Sequence, residues 1–304
     1  MDYNTLMENA PKFGQADTVA PNVMRVLAPN PSPMTHWGTN SFIIGGDHVA
    51  LIDPGPDDNE HFDALLNALT DRTLEAILVT HSHVDHSPLA RRLSDATKAP
   101  IYAYGNSQAG RSPLMESIMK NGVIGGGEGV DQDFNPTHIL KDGDVITGTD
   151  WSVTSHWTPG HFCNHMSFAF EDILFCGDHL MEHATTMISP PDGDMSAFYD
   201  SNAKLKRLNI NRYFPAHGHP IEDPIARIDA VMAHRQSREA QIIEMLGTSP
   251  QTPWEITQAL YGDVDPRLHG AAMRNVLAHL LDLLTKNQVT HQGTLSDNAV
   301  FDLS

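Results

Sequence analysis

Cysteine is nearly absent: the 304 residues contain two, Cys163 and Cys176, too few for a disulfide framework and in keeping with a reducing compartment. No apolar run approaches the roughly 18 residues that a membrane-spanning helix requires. The opening MDYNTLMENAPKFGQADTVAP has no basic segment followed by an apolar one, so no export signal is expected, and a cytoplasmic location without a membrane partner is. Positive charge is scarce as well. Lys and Arg number 19 against 38 Asp and Glu, a formal net charge of −19, and that field repels polyanions. A nucleic-acid partner is disfavoured on this ground, with RNA left open if a local basic face exists. Repeats and low-complexity tracts are missing, and 40% hydrophobic with 19% charged residues is ordinary globular composition, which excludes disorder and collagen-like structure.

What the chain has in excess is histidine, 18 in 304 residues. Clustered imidazoles point to metal chemistry. Residues 41–53 read as two strands around a Gly-Gly-Asp turn, His61 to Leu69 carries helical spacing, and 74–80 is a buried strand. The segment His81-Ser82-His83-Val84-Asp85-His86 follows at once, and a helix begins behind it with Ser87 as cap and Pro88 in its first turn. Residues 100–104 read as a strand and the Gly-rich 121–133 as a flexible surface loop. Its GGGEG lacks the Lys-Ser/Thr of a phosphate loop. Short strands fill 139–180, a helix 196–208, and a last strand and loop 212–218, which together indicate layered α/β packing. The composition breaks near Pro224. Helical patterns at 225–246, 252–262 and 268–286, followed by two short strands, outline a winged helix. The expected division is therefore 1–224 for a catalytic domain and 225–304 for a winged-helix-like one.

Four potential ligands in six residues, His81, His83, Asp85 and His86, arise by chance in a chain of this composition on the order of half a percent of the time. Imidazole with carboxylate suits Zn²⁺, and also Fe or Mn. One loop cannot close two coordination spheres, so further donors are expected at other strand ends. His161 lies in Thr-Pro-Gly-His after a strand, and His217 in Phe-Pro-Ala-His-Gly. Asp178 ends the apolar run Ile173 to Gly177, where a carboxylate is costly unless it is paired or metal-bound.

The ordered set His81/His83/Asp85/His86, His161, Asp178 and His217 resembles the metallo-β-lactamase superfamily over roughly residues 20–222. The resemblance implies an αββα sandwich with two divalent metal ions, Zn²⁺ foremost, at one edge. It implies that His81, His83 and His161 hold the first ion, that Asp85, His86 and His217 hold the second, and that Asp178 bridges them. It further implies that Asp53, in Leu-Ile-Asp-Pro-Gly, braces the ligand loop. A bridging hydroxide is the implied nucleophile, with Asp85 as the catalytic residue that orients it. The expected reaction is hydrolysis of a small ester, thioester, lactone or amide. Met181 stands where quorum-signal lactonases usually have tyrosine, and Asp178 where many secreted β-lactamases carry cysteine.

The C-terminal pattern resembles the winged-helix extension of the β-lactamase-like protein 2 group, some members of which imply endoribonuclease activity. That activity is the alternative reading, and a winged-helix nucleic-acid-binding regulator the third. Residues 225–304 carry six basic and nine acidic side chains, a net of −3, whereas phosphate binding wants a clustered basic face. Packing against the catalytic domain to wall its cleft is the expected role. Around the site, His165 is expected to be structural and His179 and His183 are candidate substrate contacts. Met181, Met187 and Met195 are expected to be packing residues. The oligomeric state is left open.

Overall fold

The computed structural model describes Met7, residues 10–121 and residues 124–304. Seven strands form the first sheet in chain order: β1 (Ala16–Ala20), β2 (Val23–Leu27), β3 (Asn40–Gly45), β4 (His48–Ile52), β5 (Thr73–Leu78), β6 (Ile101–Ala103) and β7 (His138–Ile139). The second holds β8 (Val145–Thr147), β9 (Ser152–Trp157), β10 (Met166–Phe170), β11 (Ile173–Gly177) and β12 (Arg212–Pro215), in reversed order from β12 to β8.

Side-chain alternation turns these sheets into a sandwich. Phe42, Ile44, Ala50, Ile52 and Leu78 of the first sheet meet Val153, Phe168, Phe175 and Phe214 of the second in one core. Their neighbours Ile43, Leu51 and Ile77 face the other way and pack under helices α1 (Asn59–Ala68) and α2 (Leu89–Thr97). On the outer face of the second sheet, Leu174, Cys176 and Tyr213 pack under α4 (Met195–Leu205) and α5 (Pro224–Leu246). The four-layer αββα expectation holds. Helix α3 (Pro113–Asn121) packs instead on the C-terminal core through Met115 and Ile118.

Capping chemistry sets most helix starts. Asp58, Asp194 and Asp223 each accept a backbone N–H of the first turn, and Pro224 opens α5 where no donor is needed. Helix α6 (Pro253–Leu260) begins with a reciprocal box between Thr252 and Glu255. It leads through a short turn of helix at Pro266–Leu268 to α7 (His269–Thr285) and the hairpin β13 (Val289–Gln292) and β14 (Val300–Leu303). These elements share a core of Ile242, Ile256, Leu277, Leu280 and Phe301.

Two local expectations are corrected. Ser87 does not cap α2: its hydroxyl donates to Asp131 Oδ2 at 2.7 Å, which ties the ligand loop to a distant segment. The described part of 121–133 is no free surface loop either. Gly127 donates to Asp192 Oδ2 at 2.9 Å, Asp131 donates its N–H to Ser82 O at 2.9 Å, and Val130 is buried beside His83. Gly122 and Val123 lie outside the described residues.

Candidate metal centre

Strand direction explains why residues far apart in sequence meet. Strands β4 and β5 run parallel, as do β11 and β12, and β9 shares the direction of β11 because each is antiparallel to β10. The C-terminal ends of β4, β5, β9, β11 and β12 therefore open on one edge of the sandwich. They deliver Asp53, His81 to His86, His161, Asp178 and His217 to that edge.

All seven expected donors converge. His81 Nε2 lies 2.9 Å from His83 Nδ1, which lies 3.1 Å from His161 Nε2. On the other side His217 Nε2 approaches Asp85 Oδ2 to 3.2 Å and Asp178 Oδ1 to 3.3 Å, and His86 Nε2 stands 3.6 Å from Asp178 Oδ1. Asp178 Oδ2 is 3.7 Å from His161 Nε2, so this one carboxylate faces both halves. Three overlapping donor groups have the spacing to hold an ion: His81/His83/His161, His81/His86/Asp178 and Asp85/His86/His217.

The rear nitrogens fix which ring atoms face inward. His161 Nδ1 donates to Met187 O at 2.7 Å and His217 Nδ1 to Gly38 O at 3.1 Å. A carbonyl only accepts, so those protons sit at Nδ1, and in the neutral ring, the form that binds metal, each Nε2 carries a lone pair facing the centre. His86 Nδ1 lies 2.9 Å from Asp53 Oδ2, which also accepts the Thr80 hydroxyl at 2.7 Å, while Asp53 Oδ1 accepts Thr80 N–H at 2.7 Å. Thr80 Oγ1 in turn stands 3.0 Å from His81 Nδ1. His86 Nε2 and Asp178 Oδ1, both buried in the centre, have no hydrogen-bond partner among the described residues. Acceptor atoms converging on one another in a buried site repel unless a cation or proton stands between them. The donor set therefore fits divalent metal.

The electrostatics split the site in two. Burial, reinforced by neighbouring imidazoles, holds His81 well below the ordinary histidine range and His83 at about 3, and burial lowers His161. These rings are neutral at pH 7, the form a metal needs. Around Asp85 and Asp178 the balance reverses. Burial opposes charge on His217, yet Asp178 and Asp85 outweigh it and raise its pKa to about 10, and the same carboxylates with Asp53 raise His86 well above its ordinary value. Burial opposes ionisation of both carboxyls, but the facing imidazoles outweigh it and hold them well below the usual range. The carboxylate half attracts positive charge, which a proton or a metal ion can supply.

The flanking residues sort themselves by contact. His165 is structural, its Nδ1 2.9 Å from Thr158 Oγ1 and its Nε2 accepting Asp178 N–H at 3.2 Å. His179 is buried against Phe198 rather than open to a substrate, whereas His183 is exposed and packs at a tilt against His36, ring centres 4.3 Å apart. Thr186 Oγ1 stands 3.1 Å from His161 Nδ1, while Met195 belongs to the core beneath α4.

Beyond Asp53, sequence reasoning missed the other braces. Asn164 donates to Ser82 Oγ and to the carbonyls of Gly105 and Asn106, which locks the ligand loop from behind. Helices α5 and α7 grip segment 181–190: Arg227 donates to Met181 O and Ala184 O, both at 2.7 Å, Arg235 to Thr186 O, and Arg274 to Ser189 Oγ and Pro190 O. Most of the acceptors are backbone carbonyls, which every residue carries, so no residue type could have signalled them.

Comparison with known proteins agrees with this geometry. Residues 34–217 match the metallo-beta-lactamase superfamily, and 252–297 match the beta-lactamase associated winged helix domain. The chain is 29% identical to the beta-lactamase-like protein 2 homolog of Caenorhabditis elegans, over 84% of this chain and 81% of that one. It is 27% identical to an atrochrysone carboxyl ACP thioesterase of Claviceps purpurea, over 84% and 77%. A metallo-beta-lactamase family protein from Thermus thermophilus superposes with a TM-score of 0.74 at 23% identity, over 94% of this chain and all of that one. With its sandwich, its converging His and Asp donors and its C-terminal winged helix, the chain is a hydrolase of the metallo-beta-lactamase superfamily.

Proposed function

We propose that the protein is a dinuclear metal-dependent hydrolase of a small thioester, with esters, lactones and amides as chemically related substrates. The observation that carries this is the pair of buried atoms His86 Nε2 and Asp178 Oδ1, without hydrogen-bond partners at the meeting point of the donor groups. His81, His83 and His161 would hold one ion, Asp85, His86 and His217 the other, and Asp178 both. Zn²⁺ fits this nitrogen and oxygen set, with Fe and Mn as alternatives. Bound divalent ions supply Lewis acidity, which polarises a carbonyl oxygen and brings the ionisation of water toward neutral pH.

The protein's own groups do the rest. Asp85, ionised and close to His217 and His86, orients the attacking water. Thr80 and Asp53 hold His81 and His86, and the carbonyls of Gly38 and Met187 hold His217 and His161 in the tautomer that presents Nε2. In thioester hydrolysis the acyl carbon gains the water oxygen and loses sulfur, and the departing thiolate takes up a proton. The preference for a thioester draws on the relative named as a thioesterase. An RNA phosphodiester is the less favoured alternative, because Arg227, Arg235 and Arg274 of α5 and α7 are all bonded to segment 181–190, the last two of them buried.

The test is turnover of a panel of thioester, lactone, phosphodiester and lactam substrates by protein of measured metal content. Two ions per chain, thioester turnover and its loss in His81→Ala are expected. Less than about one ion per chain, or activity indifferent to that substitution, overturns the reading.

A further inference from the structure

Beside the donor cluster lies a groove of about 240 Å³ with walls from distant parts of the chain. Met34, Met181 and Met187 form one wall, and Tyr261, Leu268 and Ala272 of the C-terminal region form the other. Among the described residues, no Asp, Glu, Lys or Arg lines it. Met34 and Leu268 are 49% and 38% exposed, so apolar surface is left open to water inside a concave site rather than scattered singly.

The groove borders the donor cluster through Met187 and His183, with none of the seven donors in its own lining. Met187 also borders the small space over His83 and His161, and its carbonyl fixes His161. His183 lines the groove and packs on His36 beside Gly218, the neighbour of His217. The space over His83 and His161 measures only about 10 Å³ and is lined also by Glu128, Phe162, Ser189 and Asp192, the last already paired with Arg111 at 2.7 Å.

From this arrangement we infer that the groove seats an apolar acyl group, an alkyl or aryl chain, with its carbonyl directed toward the donor cluster. The inference rests on the thioester reading above and adds the class of acyl group. Methionine suits the task, because its unbranched, polarisable side chain adapts to chains of differing shape. Among the described residues, no lysine or arginine lines this groove to hold a phosphodiester backbone.

The experiment compares S-decanoyl- with S-acetyl-N-acetylcysteamine as substrates of the metal-loaded, full-length protein. The wild type is expected to favour the decanoyl thioester, and Leu268→Asp and Met34→Asp, both at exposed positions, to lower the decanoyl-to-acetyl ratio of kcat/KM about ten-fold or more. Arg267→Ala, an exposed side chain paired with Asp265, should leave that ratio unchanged. No chain-length preference in the wild type, or equal losses on both substrates in the two variants, overturns the groove assignment. If neither thioester is hydrolysed, the functional reading fails separately, and the groove is judged by calorimetric binding of the uncleavable thioether S-decyl-N-acetylcysteamine. Binding that weakens in Leu268→Asp supports the groove, and no binding to the wild type overturns it.

Discussion

Asp53 shows how much one carboxylate can organise. It sits at φ +52°, a left-handed conformation uncommon for residues other than glycine, just after β4, and meets Thr80 twice and His86 once. Strain of this kind persists only where surrounding contacts over-determine it. Asp53→Ala is expected to weaken metal affinity about 10- to 100-fold through loss of ring orientation, measured by competition with a chromophoric chelator. Unchanged affinity would show that the brace is dispensable. Gly177 is the other sensitive position. Its φ is +50°, and an added Cβ would stand 2.6 Å from His165 Nε2 and 2.9 Å from Thr80 Oγ1. Gly177→Ala is therefore expected to lower the melting temperature by several degrees and reduce bound metal, because it pushes on the residues that flank Asp178. A variant that melts and loads like the wild type would count against this.

At the scale of elements, the C-terminal helices act as a clamp. Arg235 is 3% exposed and gives hydrogen bonds to Thr186 O and to Asn275 Oδ1, the latter at 2.9 Å. Burial draws its pKa down to about 10, which leaves it charged at neutral pH. Arg235→Ala strands buried acceptors at a cost of about 1–3 kcal/mol, and the segment it releases carries the Met187 carbonyl that orients His161. Faster hydrogen exchange across 184–190 and weaker metal binding are expected. Unaltered exchange there would mean that the neighbouring arginines hold the segment without it.

Across the whole molecule, acid sensitivity follows from buried neutral histidines outside the donor set. Burial lowers His61 to about 4 and His179 and His279 to about 3. The unfolded chain protonates these rings near pH 6.5 while the folded chain does not, so it binds more protons and stability falls as pH falls. The stabilisation is complete above about pH 6.5 and is lost progressively toward pH 3–4, on the order of 1 kcal/mol per pH unit for each ring. Denaturant midpoints of the metal-free protein from pH 7.5 to 4.5 test this, and His279→Leu should flatten the slope by one ring's share. A midpoint that is flat across that interval refutes the account.

Much of this was legible in the chain itself, because periodicity and ligand chemistry are local properties. Alternating apolar residues in 41–53 and the 3.6-residue pattern in 225–246 set the hairpin and α5 without outside help. The motif from His81 to His86, with His161, Asp178 and His217 at strand ends, marked the candidate donors that the fold brings together, since few other arrangements explain such groups after buried strands. Tertiary structure decided what depends on neighbours. Ser87 reaches Asp131 instead of capping, the glycine-rich segment folds against the ligand loop, and the C-terminal arginines bind backbone carbonyls rather than phosphate. Residue types declare what a side chain can bond; only the packing of distant segments decides which partner comes within reach.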